Sequence, residues 1–283
     1  MRNGRPKPTP LRDAPLTDDR FYARALGGLA LALLIAFALF RRGGGASENG
    51  AIRVVAPDNT GGLPIRWMLR DAAETFHATS FLPDEIIPTA DCCSATAQWT
   101  MSSGRVDIAV MCPDAAESLL EKDPRYALLG AVAVNSDILV TRRENGSDKV
   151  GVMQSRRYQA DALSSRFDYA DIVTLFPAGI AYALERKFLG GGVMDALSAW
   201  MLSGDKEPLS VGDVDTYVLV VSKTFADSSE FGGFAARFNK SVEELSTPDG
   251  LQNAVLFYKG LRWNQEDVEQ WKRLRIKFRK ISL

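Results

Sequence analysis

The residues of this chain best suited to chemistry are its three cysteines: Cys92 and Cys93, side by side in "DCCSATAQW", and Cys112, which closes the run "DIAVMC". The pair stands where the pattern predicts a helix to begin, and a helix start lowers a thiol pKa and favours the thiolate. Thiolates select soft ions such as Cu(I) and, by the same softness, Hg(II), organomercury or trivalent arsenic. Two plainer roles stand beside that one. Free cysteines serve as small buried apolar groups, and outside the cytoplasm Cys112 could pair with Cys92 or Cys93 and leave one thiol over. The adjacency favours a ligand role, because packing needs one apolar residue per inward position and gains little from two in succession.

Composition narrows the chemistry further. The chain has 283 residues, 46% of them hydrophobic, which is enough for a substantial core. A single histidine, His77, makes His-rich metal sites and Cys-His or Ser-His-Asp catalysis hard to build. The net charge is −1, with 8 Lys/Arg against 4 Asp/Glu in residues 1–50, leaving 26 against 31 beyond. A body of that sign lacks the basic footprint that nucleic-acid binding requires. Three cysteines are too few for a disulfide scaffold.

The N-terminus sets the expected compartment. "ALGGLALALLIAFALF" (25–40) is an uncharged apolar run, preceded by Arg2, Arg5, Lys7, Arg12, Arg20 and Arg24 and followed by Arg41 and Arg42. It is short of the roughly 20 residues a spanning helix uses, but Phe21 and Tyr22 can extend it at the interface. The charge bias predicts a cytoplasmic segment 1–24, a single-pass membrane anchor 25–42 and a flexible linker 43–50, with the remaining chain extracytoplasmic. Arg41-Arg42 directly after the apolar run argue against cleavage as a signal peptide.

The elements that must position the cysteines follow a βα alternation. "AIRVVAP", "EIIPT", "RVDIAVM", "KVGVMQS" and "TYVLVVS" read as strands, separated by helical runs such as "IRWMLRDAAETFHATS", "DAAESLLEKD" and "AGIAYALERKFL". This predicts an α/β fold with largely parallel sheets. A short echo, G-x-x-D in "GRVDIA" (104–109) and "GVMDAL" (192–197), suggests two similar lobes, with "GGG" (190–192) read as a tight turn. The expected division is 51–140 plus 217–283 for lobe 1 and 141–216 for lobe 2. The final "WKRLRIKFRKISL" reads first as a solvated basic helix end, and second as a surface for lipid headgroups.

The strand-plus-"DNTGG" turn, the "W…SSGRVDIAVM" helix-turn-strand, the "NSDILV" crossover and "LERKFLGGGVMDALSAW", in that order, resemble the type II periplasmic solute-binding proteins of ABC importers. The resembled branch includes nitrate, sulfonate, taurine and pyrimidine-precursor binders, and the likeness covers roughly Ala51 to Leu261. The "DCC" pair further resembles a small Sao-type subgroup associated with selenium and organometal handling. The resemblance implies two lobes, each with its own βαβ sheet, a small solute gripped between them, and a permease and an ATPase as partners. It implies no catalytic residue and no resident cofactor. Enzymes of the same fold, a thiamine-pyrimidine synthase and enzymes of menaquinone formation, are the rival class.

In open α/β sheets ligands sit beyond the carboxyl ends of the strands. The resemblance therefore brings Cys92, Cys93 and Cys112 towards one cleft, with the Met153 thioether facing them from the second lobe. The other expected ligand contacts are Asp58, Asn59, Thr60 and Gly61 in the first turn, Ser94 after the cysteine pair, Asn135 and Ser136 at the crossover, Gln154 at the entry to lobe 2, and Asp215 and Thr216 at the return. If the thiols bind the solute, it is a soft metal, an organometal or a chalcogen compound; otherwise it is a small organic anion such as a sulfonate.

Overall fold

Short apolar runs pair in this chain into two separate sheets. The computed structural model describes residues 52–70, 86–89, 100–104, 106–154, 156–166 and 171–282, all within the compact unit Ala46–Leu283. The expected cytoplasmic segment, anchor and linker, together with Cys92, Cys93, Ser94 and His77, lie outside the described residues. Among the described residues no helix is long and apolar enough to cross a membrane.

The first sheet contains β1 (Val54–Pro57), β2 (Ile86–Thr89), β3 (Ile108–Met111), β4 (Tyr126–Val134), β10 (Asp215–Ser222) and β11 (Lys277–Phe278), in the order β11-β4-β10-β3-β1-β2. The second contains β5 (Asp137–Thr141), β6 (Lys149–Met153), β7 (Asp171–Leu175), β8 (Gly191–Asp195) and β9 (Asp205–Pro208), in the order β7-β6-β8-β5-β9. The parallel expectation is met only in part. β2-β1-β3 and β7-β6-β8 are parallel, whereas β10, β11, β5 and β9 pair antiparallel. The reason is topological, since the antiparallel strands either lead into and out of the chain's two passages between the sheets or close an edge. The passages run through Asn135-Ser136 outward and residues 209–214 on return.

Helices follow the strands as the apolar periodicity predicts. A 3-10 turn, Thr60–Gly62, leads into α1 (Leu63–Met68), with Pro64 in its first turn. α2 (Pro113–Lys122) starts on Pro113 and is N-capped by the backbone of Cys112, a proline position that costs the helix no hydrogen bond. Then come α3 (Arg157–Arg166), α4 (Pro177–Glu185), α5 (Ala196–Trp200), α6 (Lys223–Ala226), α7 (Ser229–Leu245), α8 (Pro248–Lys259) and α9 (Gln265–Arg273). α8 carries its own stop and start signals: Thr247 Oγ1 accepts from Gly250 N at 3.1 Å, and Gly260 ends the helix at φ +68°. Asn264 and Asp267 form a reciprocal capping box on α9.

Two core clusters divide the work. One packs the first sheet against Phe225, Phe234, Phe238 and Val242. The other joins Leu63 and Trp67 of α1 to Ile138, Met153, Ile180, Leu184 and Met194 of the second sheet region, and to Leu251, Val255 and Trp271 behind α1. Apolar burial therefore runs continuously across the seam between the sheets.

Two smaller readings are corrected. Gly191 and Gly192 lie inside β8, not in a tight turn; a β-carbon on Gly192 would stand 2.4 Å from Ile180 Cγ2, and one on Gly190 1.9 Å from the Ser147 carbonyl oxygen. The "GGG" is thus a close-packing device. The G-x-x-D echo is not a structural repeat either. Asp107 precedes β3 and accepts from Arg53 N at 2.9 Å, whereas Asp195 ends β8.

Candidate functional site

The "DNTGG" turn is shaped by what presses on it. The Asn59 side chain accepts from Gly61 N at 3.0 Å and caps the 3-10 turn. A β-carbon on Gly61 would fall 2.5 Å from the Tyr217 ring, and one on Gly62 2.0 Å from the Pro57 carbonyl oxygen. Both glycines are therefore demanded by close approach. Asp58 sits at the rim, paired with Lys259 Nζ at 3.0 Å. Burial pulls its carboxyl up, but hydrogen bonds from Tyr258 and Lys259 and the charges of Lys259 and Arg66 together hold it below the usual range.

Thr60 is wholly buried and points at the other sheet. Its backbone N–H donates to Asp195 Oδ1 at 3.0 Å and its hydroxyl to the same oxygen at 2.8 Å. Asp195 ends β8 and caps α5, accepting from Leu197 N at 3.1 Å, while its Oδ2 accepts from the Tyr217 hydroxyl at 3.2 Å. One carboxylate of the second sheet is thus held by a residue of the first, Tyr217, and by one of the turn that follows β1, Thr60. Burial pushes the Asp195 carboxyl up to about 6, with the Asp137 charge adding to the rise and the Thr60 donors and Arg156 opposing it.

Beside it lies a second buried carboxylate. Asp137 Oδ2 accepts from Arg156 Nη1 at 2.6 Å, from Gln159 Nε2 at 2.7 Å and from the Tyr158 hydroxyl. The Arg156 and Asp137 side chains are 1% and 0% exposed. The Arg156 guanidinium also stacks 4.6 Å from the centre of the Tyr217 ring and donates to the Thr216 carbonyl at 3.2 Å. Burial and the Asp137 charge push the Tyr158 hydroxyl well above its usual pKa, so it remains a donor at any ordinary pH.

The expected contacts separate into groups. Thr60 and Gly61 meet at the seam, with Ser136 and Thr216 close behind: Ser136 Oγ and Thr216 Oγ1 are 2.7 Å apart, and Thr216 donates to the Ala133 carbonyl at 3.0 Å. Asn135 holds the two passages together at φ +59°, its N–H donating to Val214 O and its Oδ1 accepting from Val214 N, both at 2.9 Å. Asp215 pairs with Arg279 at 3.2 Å, away from the seam. Gln154 is exposed, its N–H donating to the Leu175 carbonyl at 2.8 Å. Met153 is buried in the second core cluster, and Cys112 is buried at the end of β3 in the first. Among the described residues no three His, Cys, Asp or Glu side chains converge to hold a metal ion.

Asp195, Tyr217, Asp137, Arg156 and Tyr158 complete the seam. The signal for Asp195 is a lone acid closing an apolar strand run, that for Asp137 a lone acid opening one, and Arg156 follows a strand within "QSRRYQ". Outside the core, Arg157 of α3 reaches α2, with Nη2 2.8 Å from Asp114 Oδ1 and 2.6 Å from Glu117 Oε2. Five of the C-terminal basic residues have partners within the fold. Lys272 pairs with Glu269, Lys277 and Arg279 with Asp213, and Lys280 with Glu243, and Arg275 donates to the carbonyls of Ser210 and Val211.

Two mixed sheets joined by two passages have counterparts among solved structures. A ligand-binding component of an ABC-type import system from Staphylococcus aureus, with zinc bound, superposes with a TM-score of 0.61 at 13% identity, over 82% of this chain and 86% of that one. The fold is that of ABC-importer binding proteins. The alkanesulfonate-binding protein SsuA from Xanthomonas axonopodis pv. citri, bound to MOPS, gives 0.59 at 14% identity over 84% and 89%. The periplasmic aliphatic sulphonate-binding protein SsuA from Escherichia coli gives 0.56 at 11% over 82% and 84%. No protein-family model matches the sequence, and no curated protein does.

Proposed function

We propose that this chain is the solute-binding component of an ABC-type importer, tethered to the outer face of the membrane by residues 25–42 and working with a permease and an ATPase. The observation that carries the reading is the seam itself: Tyr217 of one sheet and Thr60 of the turn after its strand β1 face Asp195 of the other sheet, at the strand ends where this fold takes its ligand. It is read as a binding function without catalysis. Cross-linking in intact cells of the source organism, followed by mass spectrometry, tests it. A permease and ATPase pair among the linked proteins supports the reading, and a linked set free of transporter subunits overturns it.

The solute follows from the thiols in the favoured version. Cys92, Cys93 and Cys112 would offer thiolates to a soft metal, an organometal or a chalcogen compound, as the Sao-type likeness of "DCC" suggests. The support on the structural side is the placement of Cys112 at the carboxyl end of β3, the neighbour of the strand β1 that leads into the Thr60 turn. Anaerobic native mass spectrometry with Hg(II), methylmercury, arsenite and Cu(I), combined with alkylation counting, tests this part. One-to-one uptake that protects all three thiols and is lost in Cys92→Ser/Cys93→Ser supports it. Without thiophile uptake, the solute class is instead a small organic anion such as a sulfonate.

A further inference from the structure

Thr60 supplies two converging donors, its N–H and its hydroxyl, and both end on one oxygen of Asp195. The same carboxylate also takes the Tyr217 hydroxyl and the Leu197 N–H. A carboxylate gripped by four donors is bound as an anionic ligand is bound, by charge-assisted hydrogen bonds inside a buried pocket. Here the anion belongs to the chain. Its backbone is anchored in the second sheet, whereas Tyr217 belongs to the first and Thr60 to the turn that follows β1 of the first.

We propose that Asp195 is a resident anion that latches the two sheets together in the absence of solute, and that an anionic group of a solute reaching Thr60 must displace it. The proposal rests on the solute-cleft reading above and adds a rule of selection to it. The seam also holds the Asp137 carboxylate beside the Arg156 guanidinium, so a further anion at Thr60 meets two buried carboxylates, those of Asp195 and Asp137. Neutral and cationic solutes enter without that competition. The latch also sets an order of events, in which its hydrogen bonds open before the cleft admits an anion.

The test is anion rescue in the full-length protein, read by hydrogen–deuterium exchange of the Thr60 and Leu197 amides. In wild type these amides exchange slowly, and formate or acetate at tens of millimolar leaves them unchanged. In Asp195→Ala both amides exchange at least tenfold faster, and formate or acetate restores the protection while chloride at equal ionic strength does not. Thr60→Val, which keeps the shape of the side chain and loses its hydroxyl, serves where Asp195→Ala does not fold: its Leu197 amide exchanges severalfold faster than in wild type. Unchanged exchange in either folded variant, or loss of protection that no carboxylate restores, overturns the latch. A failed search for transporter partners would remove the import reading and leave these exchange results standing, so the two failures are distinguishable.

Discussion

The ring of Tyr217 lies directly over Gly61, so that a β-carbon at that glycine would meet its Cγ and Cδ1 at 2.5 Å. Tyr217 cannot yield easily. Its hydroxyl is held by Asp195, its ring carries the Arg156 guanidinium, and it is almost wholly buried. Gly61→Ala is therefore expected to cost about 1–3 kcal/mol, the usual penalty of overpacking a tight core. Gly233→Ala, in the exposed middle of α7 with nothing within 4 Å, should instead stabilise the protein by up to about 1 kcal/mol. Urea unfolding of both variants checks the pair, and equal effects would contradict the packing argument.

The raised pKa of Asp195 makes a signed prediction. Its folded-state value near 6 lies above the ordinary 3.8. The folded protein therefore holds a proton that the unfolded chain releases between pH 4 and 6, and stability falls as pH rises through that window. The charged groups around it are Asp137, which raises the value, and Arg156, which lowers it; Tyr217 faces it as a donor and Tyr258 lies within electrostatic reach. Asp195→Asn keeps the acceptor for Thr60 and offers an amide to Tyr217. Relative to wild type, this variant should gain about 2 kcal/mol between pH 4 and pH 6.5. Denaturation at several pH values reads the difference directly; a pH-independent gap between the two proteins would refute it.

Adjacent arginines should behave oppositely. Arg156→Met leaves Asp137 buried without its counter-charge, a change that typically costs about 3–5 kcal/mol. Arg157 is 72% exposed and pairs with Asp114 and Glu117 at the surface, where water and salt screen the attraction. Arg157→Ala should leave the thermal midpoint unchanged within error. A loss at Arg157 comparable to that at Arg156 would contradict the screening argument.

Tyr217→Phe separates the ring from its hydroxyl. The ring still covers Gly61, while the 3.2 Å bond to Asp195 is lost. The expected cost is about 1 kcal/mol, the net worth of a single buried hydrogen bond. Tyr217→Ala, which opens a cavity beside Gly61 and Arg156, should cost several times more by the same measurement.

Much of the framework was legible in the sequence because it depends on local pattern. Val54 to Pro57, Ile108 to Met111 and Lys149 to Met153 are apolar runs too short for helices, and each is a strand. Pro113 and Pro177 open the helices that the periodicity predicts. Strand direction was not legible in this way, because an apolar run carries no sign of which way its partner points; hence the mixed sheets. Thr60 was recognisable as a turn residue, but its partner stands 135 positions away. No spacing rule connects "DNTGG" to the acid of "GVMD". Asn135 illustrates the same gap. Its place at the crossover could be read from "NSDILV", whereas its left-handed backbone and its grip on Val214 depend on the returning chain.

The position of β10 has a consequence for synthesis. It lies between β3 and β4, pairing with Ile108–Met111 on one side and with residues from Tyr126 to Val134 on the other. As the chain leaves the ribosome, β3 and β4 emerge early and flank an open slot that only residues 215–222 can fill. The second sheet, β5 to β9, is complete once Pro208 has appeared. The sheet that starts first therefore finishes last, and a nascent chain stalled before Asp215 carries one assembled sheet beside one with two bare inner edges. Such edges recruit other strands readily, so the interval between Val134 and Asp215 is when this protein is most exposed to misassociation.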